Sequence, residues 1–355
     1  MAAAGSGPMR VGLIYDLRAE YLAAGFGEEE TAEFDRPDTI DSIEGALNEL
    51  GYDTDRVGNI RQLVNRLAAG DRWDIVFSIA EGLYGYGREA QVPALLDAYE
   101  IPYAFSDPLV LSLTLHKAMT KHVLRDLGIR TPDFRLVESD ADIARIDLPF
   151  PLFVKPVAEG TAKGITHSSR VTSREELARE CRRIVAAYRQ PALVEEFLPG
   201  REFTVGITGT GDAAVAVGTM EIILRPEAEP HSYTYVNKER CEELCEFPMA
   251  DPASAAEAEA LSLAVWRALG CRDAGRVDVR VAADGRLHFM EVNPLPGLHP
   301  THSDLPMICT ARGISYLELI SRIMDSARQR IGSTGHPGRS VGPRPAWPPP
   351  SGKTF

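Results

Sequence analysis

The sequence predicts an α/β protein whose first region is a doubly wound parallel sheet and whose later lobes are α+β. Three observations predict it. Apolar, strand-length runs at 11–15 and 73–79 alternate with helical spacing at 39–50 and 91–99, which implies parallel strands joined by crossover helices. Beyond residue 199 short strands follow one another with fewer helices between them. Finally, a chain of 355 residues has room for two or three lobes, because domains run to about 100–150 residues. Apolar residues make up 44% of it, ample for a core.

Taken in order, residues 1–8 are small and Gly-rich and read as a flexible leader without the charged-then-apolar layout of a secretory signal. The first lobe spans 9–105. Its helix at 39–50 ends at Gly51, a C-cap signal. A second lobe, 106–198, has a helix at 115–127 closed by Gly128 and a strand at 152–156. A small loop bounded by Gly160 and Gly164 follows, then a strand at 165–171, a helix at 173–188 and a strand at 192–197. The third lobe, 199–331, has strands at 202–208 and 215–223, a loop near 225–245 and a helix at 253–269. Two more strands and a last helix from 316 to about 331 complete it. Residues 332–355 are rich in Pro, Gly and Ser and are expected to be disordered.

A net charge of −13 argues against nucleic acid as a partner, since phosphate backbones need a basic field. No window reaches the roughly 18 apolar residues of a membrane helix. The five scattered cysteines suit reduced thiols and the cytoplasm. Cys241 and Cys245 stand four apart but lack a second pair that would make a metal site.

The most informative stretch runs from Arg276 to Asn293. Two alternating runs flank Asp284-Gly285, the strongest short signal for a two-residue hairpin turn. That turn sets Asp278 opposite Glu291 and Arg276 opposite Asn293. Period-two alternation then projects all four from one face, with Val277, Val279, Met290 and Val292 on the core side. Two facing carboxylates repel. A divalent cation relieves that, and Asp, Glu and Asn supply the hard oxygens that Mg²⁺ takes. A salt-bridged polar face is the plainer alternative. Gly297, in the loop Pro294-Leu295-Pro296-Gly297, can bring a backbone N–H close to a substrate.

Elsewhere, Lys155 ends a strand and is followed by Glu159-Gly160-Thr161-Ala162-Lys163-Gly164. Backbone N–H groups of such a loop can cradle phosphate, and the lysine adds a point charge. The spacing is not the Walker pattern. Glu195 and Glu196 end a strand before Phe197 and Leu198; they are either solvent-exposed acids or a hinge whose backbone and Glu195 side chain meet an adenine edge. Glu202 could hold ribose hydroxyls. Lys117, early in a helix, and Lys238, in a polar loop, are further cation candidates.

In this order the pieces resemble the ATP-grasp superfamily, and within it the D-alanine–D-alanine ligase family, from about residue 11 to 331. The closest likeness is Gly275-Arg276-Val277-Asp278 with Phe289-Met290-Glu291-Val292-Asn293-Pro294-Leu295-Pro296-Gly297 and Ser303-Asp304-Leu305-Pro306. The resemblance implies three lobes with ATP between the second and third, a possible homodimer, and small amino or carboxylic acids as partners. It implies two Mg²⁺ ions (Mn²⁺ as a substitute) on Asp278, Glu291 and Asn293. Lys117, Lys155 and the loop Glu159, Gly160, Thr161 and Gly164 are implied at the phosphates. Glu195, Glu196, Phe197, Leu198, Glu202 and Phe289 are implied around the nucleoside. Lys238 is implied at the γ-phosphate, Arg276 and the Gly297 N–H at an oxyanion, and Ser303 and Leu305 near the second substrate. The implied reaction activates a carboxylate as an acyl phosphate, which an amine attacks, releasing ADP and phosphate. A related amide ligase for another acid and a small-molecule kinase on the same fold are the alternatives. The sequence departs from the family where the first substrate binds: Asp16-Leu17-Arg18-Ala19-Glu20 replaces a Gly-rich turn with a nearby Glu, and 80–89 replaces a His-Gly segment.

Overall fold

Twelve strands form three sheets in a computed structural model that describes residues 7–334. The first sheet holds β1 (Arg10–Ile14), β2 (Asp53–Gly58) and β3 (Ile75–Ser78). Its order is β2-β1-β3 and every pairing is parallel. Alternation along β1 and β3 divides their side chains between two layers. Val11, Leu13, Ile75 and Phe77 meet helix Pro37–Glu49 through Ile40, Ile43 and Leu47. Ile14 and Val76 meet helix Ile60–Ala68 through Leu63 and Leu67. Helices on both faces make the sheet doubly wound, as predicted. β2 and the helix after it were not expected from the sequence, because Asp53, Asp55 and Arg56 break the apolar run that marks a buried strand.

The second sheet is antiparallel, ordered β4-β7-β5-β6, from β4 (Phe134–Val137), β5 (Leu152–Pro156), β6 (Arg170–Val171) and β7 (Ala192–Glu196). Helix Arg174–Tyr188 covers it with Leu177, Cys181 and Ile184. The strand predicted over 165–171 shrinks to Arg170–Val171. Turns occupy the stretch before it: Lys163 N donates to Gly160 O (2.9 Å), and Thr161 and Ala162 adopt left-handed φ of 49° and 55°.

The third sheet holds β8 (Glu202–Thr208), β9 (Val215–Leu224), β10 (Cys245–Glu246), β11 (Ala274–Val281) and β12 (Leu287–Asn293), ordered β10-β9-β8-β11-β12. One face packs on helix Pro252–Leu269, where Trp266 is fully buried among Val205, Val277 and Val292. Helix Asp304–Ala311 covers part of the other face through Leu305 and Ile308. Helices Pro108–Leu115 and Lys117–Asp126 bridge two sheets. Val110 and Leu124 join the core of the third, whereas Leu115 and Ala118 pack on Phe134 and Leu193 of the second.

The hairpin β11–β12 pairs Arg276 with Asn293 and Asp278 with Glu291, as predicted, by a different route. Its loop has three residues, not two: Ala282 N donates to Arg286 O (2.8 Å), with Gly285 left-handed at φ 81°. That one-residue slip is cancelled by a bulge at Met290, since Val279 pairs with Phe289. Phe289, not Met290, therefore fills the core. The predicted loop at 225–245 contains helices Tyr235–Glu239 and Cys241–Leu244 and strand β10, and Lys238 lies on the first of these. Cys241 and Cys245 are buried free thiols.

No helix among the described residues is long and apolar enough to cross a membrane. The last helix, Tyr316–Thr334, runs on past the expected end near 331, so residues 332–334 are helical where disorder was expected; the expectations for residues 1–6 and 335–355 lie outside the described residues.

Candidate active site

Alternation on β11 and β12 turns Arg276, Asp278, Glu291 and Asn293 onto the sheet face that looks toward the second sheet. Asp278 faces Glu291 on one side and Thr204 of β8 on the other. One of its oxygens, Oδ1, is buried without a hydrogen-bond partner; the other is ion-paired with Arg276. Burial and the nearby Glu291 push the Asp278 carboxyl up to about 6, despite Arg276. Glu291 goes the other way. Burial opposes its charge, but Lys117, Arg276, Lys155 and Lys238 together hold it well below the usual carboxylate range. Arg276 stays protonated in spite of burial because Asp278 and Asp304 (3.4 Å) flank it. Among the described residues no three His, Cys, Asp or Glu gather as metal ligands. The donor set is two acids and the Asn293 amide, with an orphaned acid oxygen, and it suits a hard cation.

Three lysines converge on this face from three elements. Lys117, at the start of helix Lys117–Asp126, reaches Glu291 at 3.3 Å and the Glu159 carbonyl. Lys155, on β5, and Lys238 line the same cleft. Glu195 sits elsewhere than expected. It is 0% exposed, and its carboxylate lies 2.7 Å from Lys155 and 3.1 Å from Lys121. It anchors those lysines beneath the cleft and does not open into it. Phe289 is likewise corrected: it is 1% exposed in the core behind the sheet, and the bulged Met290 lines the cleft in its place. Leu198 is buried, and Glu196 and Phe197 flank the cleft without lining it; Phe197 stacks on Phe153, which does. Glu202 lines it and pairs with Arg280 at 3.1 Å. Ile165 and Ile222 complete an apolar patch that no sequence motif marks.

A second chamber adjoins the first, and the two share Lys238, Arg276, Asp304 and Tyr233. One wall carries Asn293, Gly297, Ser303 and Leu305. A Cβ on Gly297 would sit 2.8 Å from Ser303 Oγ, so glycine leaves this hydroxyl its room against the backbone. The opposite wall carries Glu33, Asp35, Glu81 and Thr161. Burial, with Asp16 nearby, raises Asp35 to about 7. Burial and the neighbouring Glu89 and Glu33 raise Glu81 well above the usual range. Glu20, within the departing segment, stands on the exposed helix Arg18–Ala23 and does not line this chamber. The acids of this wall come from 33–35 and 81, stretches without strand or helix periodicity to place them.

Fold and cleft together define an ATP-grasp enzyme, an ATP-dependent ligase that forms carbon–nitrogen bonds. A family model described as the D-ala D-ala ligase C-terminus matches residues 123–325. The chain is 36% identical over 277 residues to the D-alanine–D-alanine ligase of Bordetella petrii, covering 77% of this chain and 81% of that one. Its identity to the D-alanine–D-alanine ligase of Cupriavidus necator is 33% over 287 residues, 79% and 84% of the two chains. The crystal structure of D-alanine–D-alanine ligase from Bacillus anthracis complexed with ATP shares the fold, with a TM-score of 0.70 at 24% identity over 92% of this chain and 98% of that one. The chain belongs to the D-alanine–D-alanine ligase family.

Proposed function

We propose that this enzyme joins two D-alanine molecules, phosphorylating the carboxylate of the first with ATP and replacing the phosphate with the amine of the second. The observation that carries this reading is the facing pair Asp278 and Glu291 in a cleft that also receives Lys117, Lys155, Lys238 and Arg276. The names of the curated relatives support the substrate. Asp278, Glu291 and Asn293 would hold two Mg²⁺ ions, with Mn²⁺ as a substitute. Bound there, the metal supplies positive charge between carboxylates and phosphates. Lys117 and Lys155 are suited to the nucleotide phosphates and Lys238 to the transferred group. Phe153, Ile165, Ile222 and Met290 suit the adenine, and Glu202 the ribose.

The second chamber fits the amino acids. Glu81 and Asp35 form no ion pair among the described residues. They suit the ammonium of the first substrate. Arg276 and the Gly297 N–H would meet the charge that develops on oxygen as the amine adds. Ser303 and the neighbouring Leu305 face the acceptor. The test incubates the protein with Mg-ATP and a panel of D- and L-amino acids, following ADP, phosphate and product mass. The D-alanyl-D-alanine mass with one phosphate per dipeptide is expected. A phosphorylated product, or an amide from other amino acids alone, overturns the reading.

A further inference from the structure

A closed ring of four ion pairs joins the first lobe to the phosphate loop. Lys163 Nζ lies 2.7 Å from both Glu33 and Glu159. Arg88 lies 3.1 Å from Glu33 and 3.8 Å from Glu159. Each cation thus touches both acids, and the ring is neutral. The side chains of Glu33, Arg88 and Lys163 are all less than a tenth exposed. Glu33 and Arg88 belong to the first lobe, whereas Glu159 and Lys163 belong to the loop between β5 and β6. Further bonds fasten the same loop: Arg88 donates to the Ala158 carbonyl (2.9 Å), and Gly164 N donates to Glu29 (3.3 Å). Glu33 packs so closely that a Cβ on Gly160 would fall 2.2 Å from its Oε1. The ring also touches both chambers. Glu33 lines the amino-acid chamber, Lys163 and Glu159 line the nucleotide cleft, and the Glu159 carbonyl holds Lys117, which holds Glu291.

We infer that Glu33 and Lys163 are positioning residues that keep the phosphate loop seated over the junction of the two chambers and so couple ATP use to amide formation. This rests on the ligase reading above. In the productive route the amine nitrogen bonds to the acyl carbon, that carbon's bond to the phosphate oxygen breaks, the amine loses a proton and phosphate leaves. Water at the same carbon breaks the same bond but returns the free acid and phosphate. A loop pinned by buried pairs excludes that water. Excluding water needs only that the loop stay seated, so loss of the ring shifts partition of the acyl carbon from amine toward water.

The test uses the full chain carrying Glu33→Gln and Lys163→Met together, which removes one acid and one base and orphans no charge. Phosphate and D-alanyl-D-alanine are measured in the same reaction. The wild type is expected near one phosphate per dipeptide, and the double variant at severalfold more. Amide hydrogen exchange at 158–166 is expected to speed up. Lys163→Arg alone, which keeps the charge and Glu33, is expected to retain much of the coupling. An unchanged phosphate-to-dipeptide ratio, or unchanged exchange in the loop, overturns the inference. A wild type that makes no dipeptide overturns the ligase reading instead, while the exchange measurement still judges the ring.

Discussion

Asp278 and Glu291 bear opposite perturbations although they face each other, because their neighbours differ. Lys117 stands against Glu291, whereas Asp278 keeps one oxygen unpartnered. Removing either charge while keeping the shape, as in Asp278→Asn or Glu291→Gln, is expected to lower kcat by about a hundredfold or more. The melting temperature should stay within a few degrees; near-normal turnover would refute their role. Lys121 offers a second test. It is completely buried between Thr131 and Glu195, and burial lowers it to about 8. The folded protein releases this proton near pH 8, the unfolded chain near the ordinary lysine value of about 10.4. Between those values the unfolded state binds more protons, so the contribution of Lys121 to stability rises with pH. The unfolding free energy of the wild type minus that of Lys121→Met should therefore grow from pH 8 to 10 in urea titrations. A flat difference would mean that Lys121 stays charged throughout.

At the scale of elements, the β11–β12 hairpin carries the site, and its closeness of packing can be tested. Gly275 lies where a Cβ would come 2.5 Å from the Asn293 carbonyl and 2.6 Å from the Trp266 ring. Neither neighbour can retreat, since one is backbone and the other is fully buried. Gly275→Ala is expected to cost about 1–3 kcal/mol and to raise the magnesium concentration needed for half-maximal rate, because Asn293 is displaced. An unchanged urea midpoint would show that the sheet absorbs the methyl group. The same hairpin shows how far the sequence could be read. Its alternation and Asp284-Gly285 predicted which acids face each other, and the pairing holds because the longer loop and the bulge offset one another. The bulge was not legible. A three-residue loop plus one extra residue preserves the pairing at Asp278, so only the exchange of Phe289 for Met290 betrays it. Glu195 was misjudged for a related reason: strand-end position says nothing about the lysines that come from Lys121 and Lys155 to bury it.

Across the whole molecule, contacts between lobes were the least legible feature, because they join residues far apart in sequence with no periodicity to link them. Two such contacts matter. The last helix, Tyr316–Thr334, packs Ile320, Ile323 and Met324 into one core with Ile40, Ile43 and Leu47 of the first lobe. The four-membered ring then ties that lobe to the loop between β5 and β6. Burial works against the charge of Glu33, but Arg88 and Lys163 more than offset it and leave its carboxyl at about 2. A depressed acid contributes stability that is fully present above its unfolded value, near 4.3, and is lost as pH falls from there toward 2. Glu33→Gln lacks this contribution and leaves Lys163 and Arg88 one acid short. The variant should melt several degrees lower at pH 7, and the gap should narrow at pH 3 as the wild type begins to lose the same pairs. Melting curves at pH 7, 5 and 3 decide it. Two proteins whose melting temperatures fall in parallel across that range would show that the ring contributes nothing to the union of the lobes.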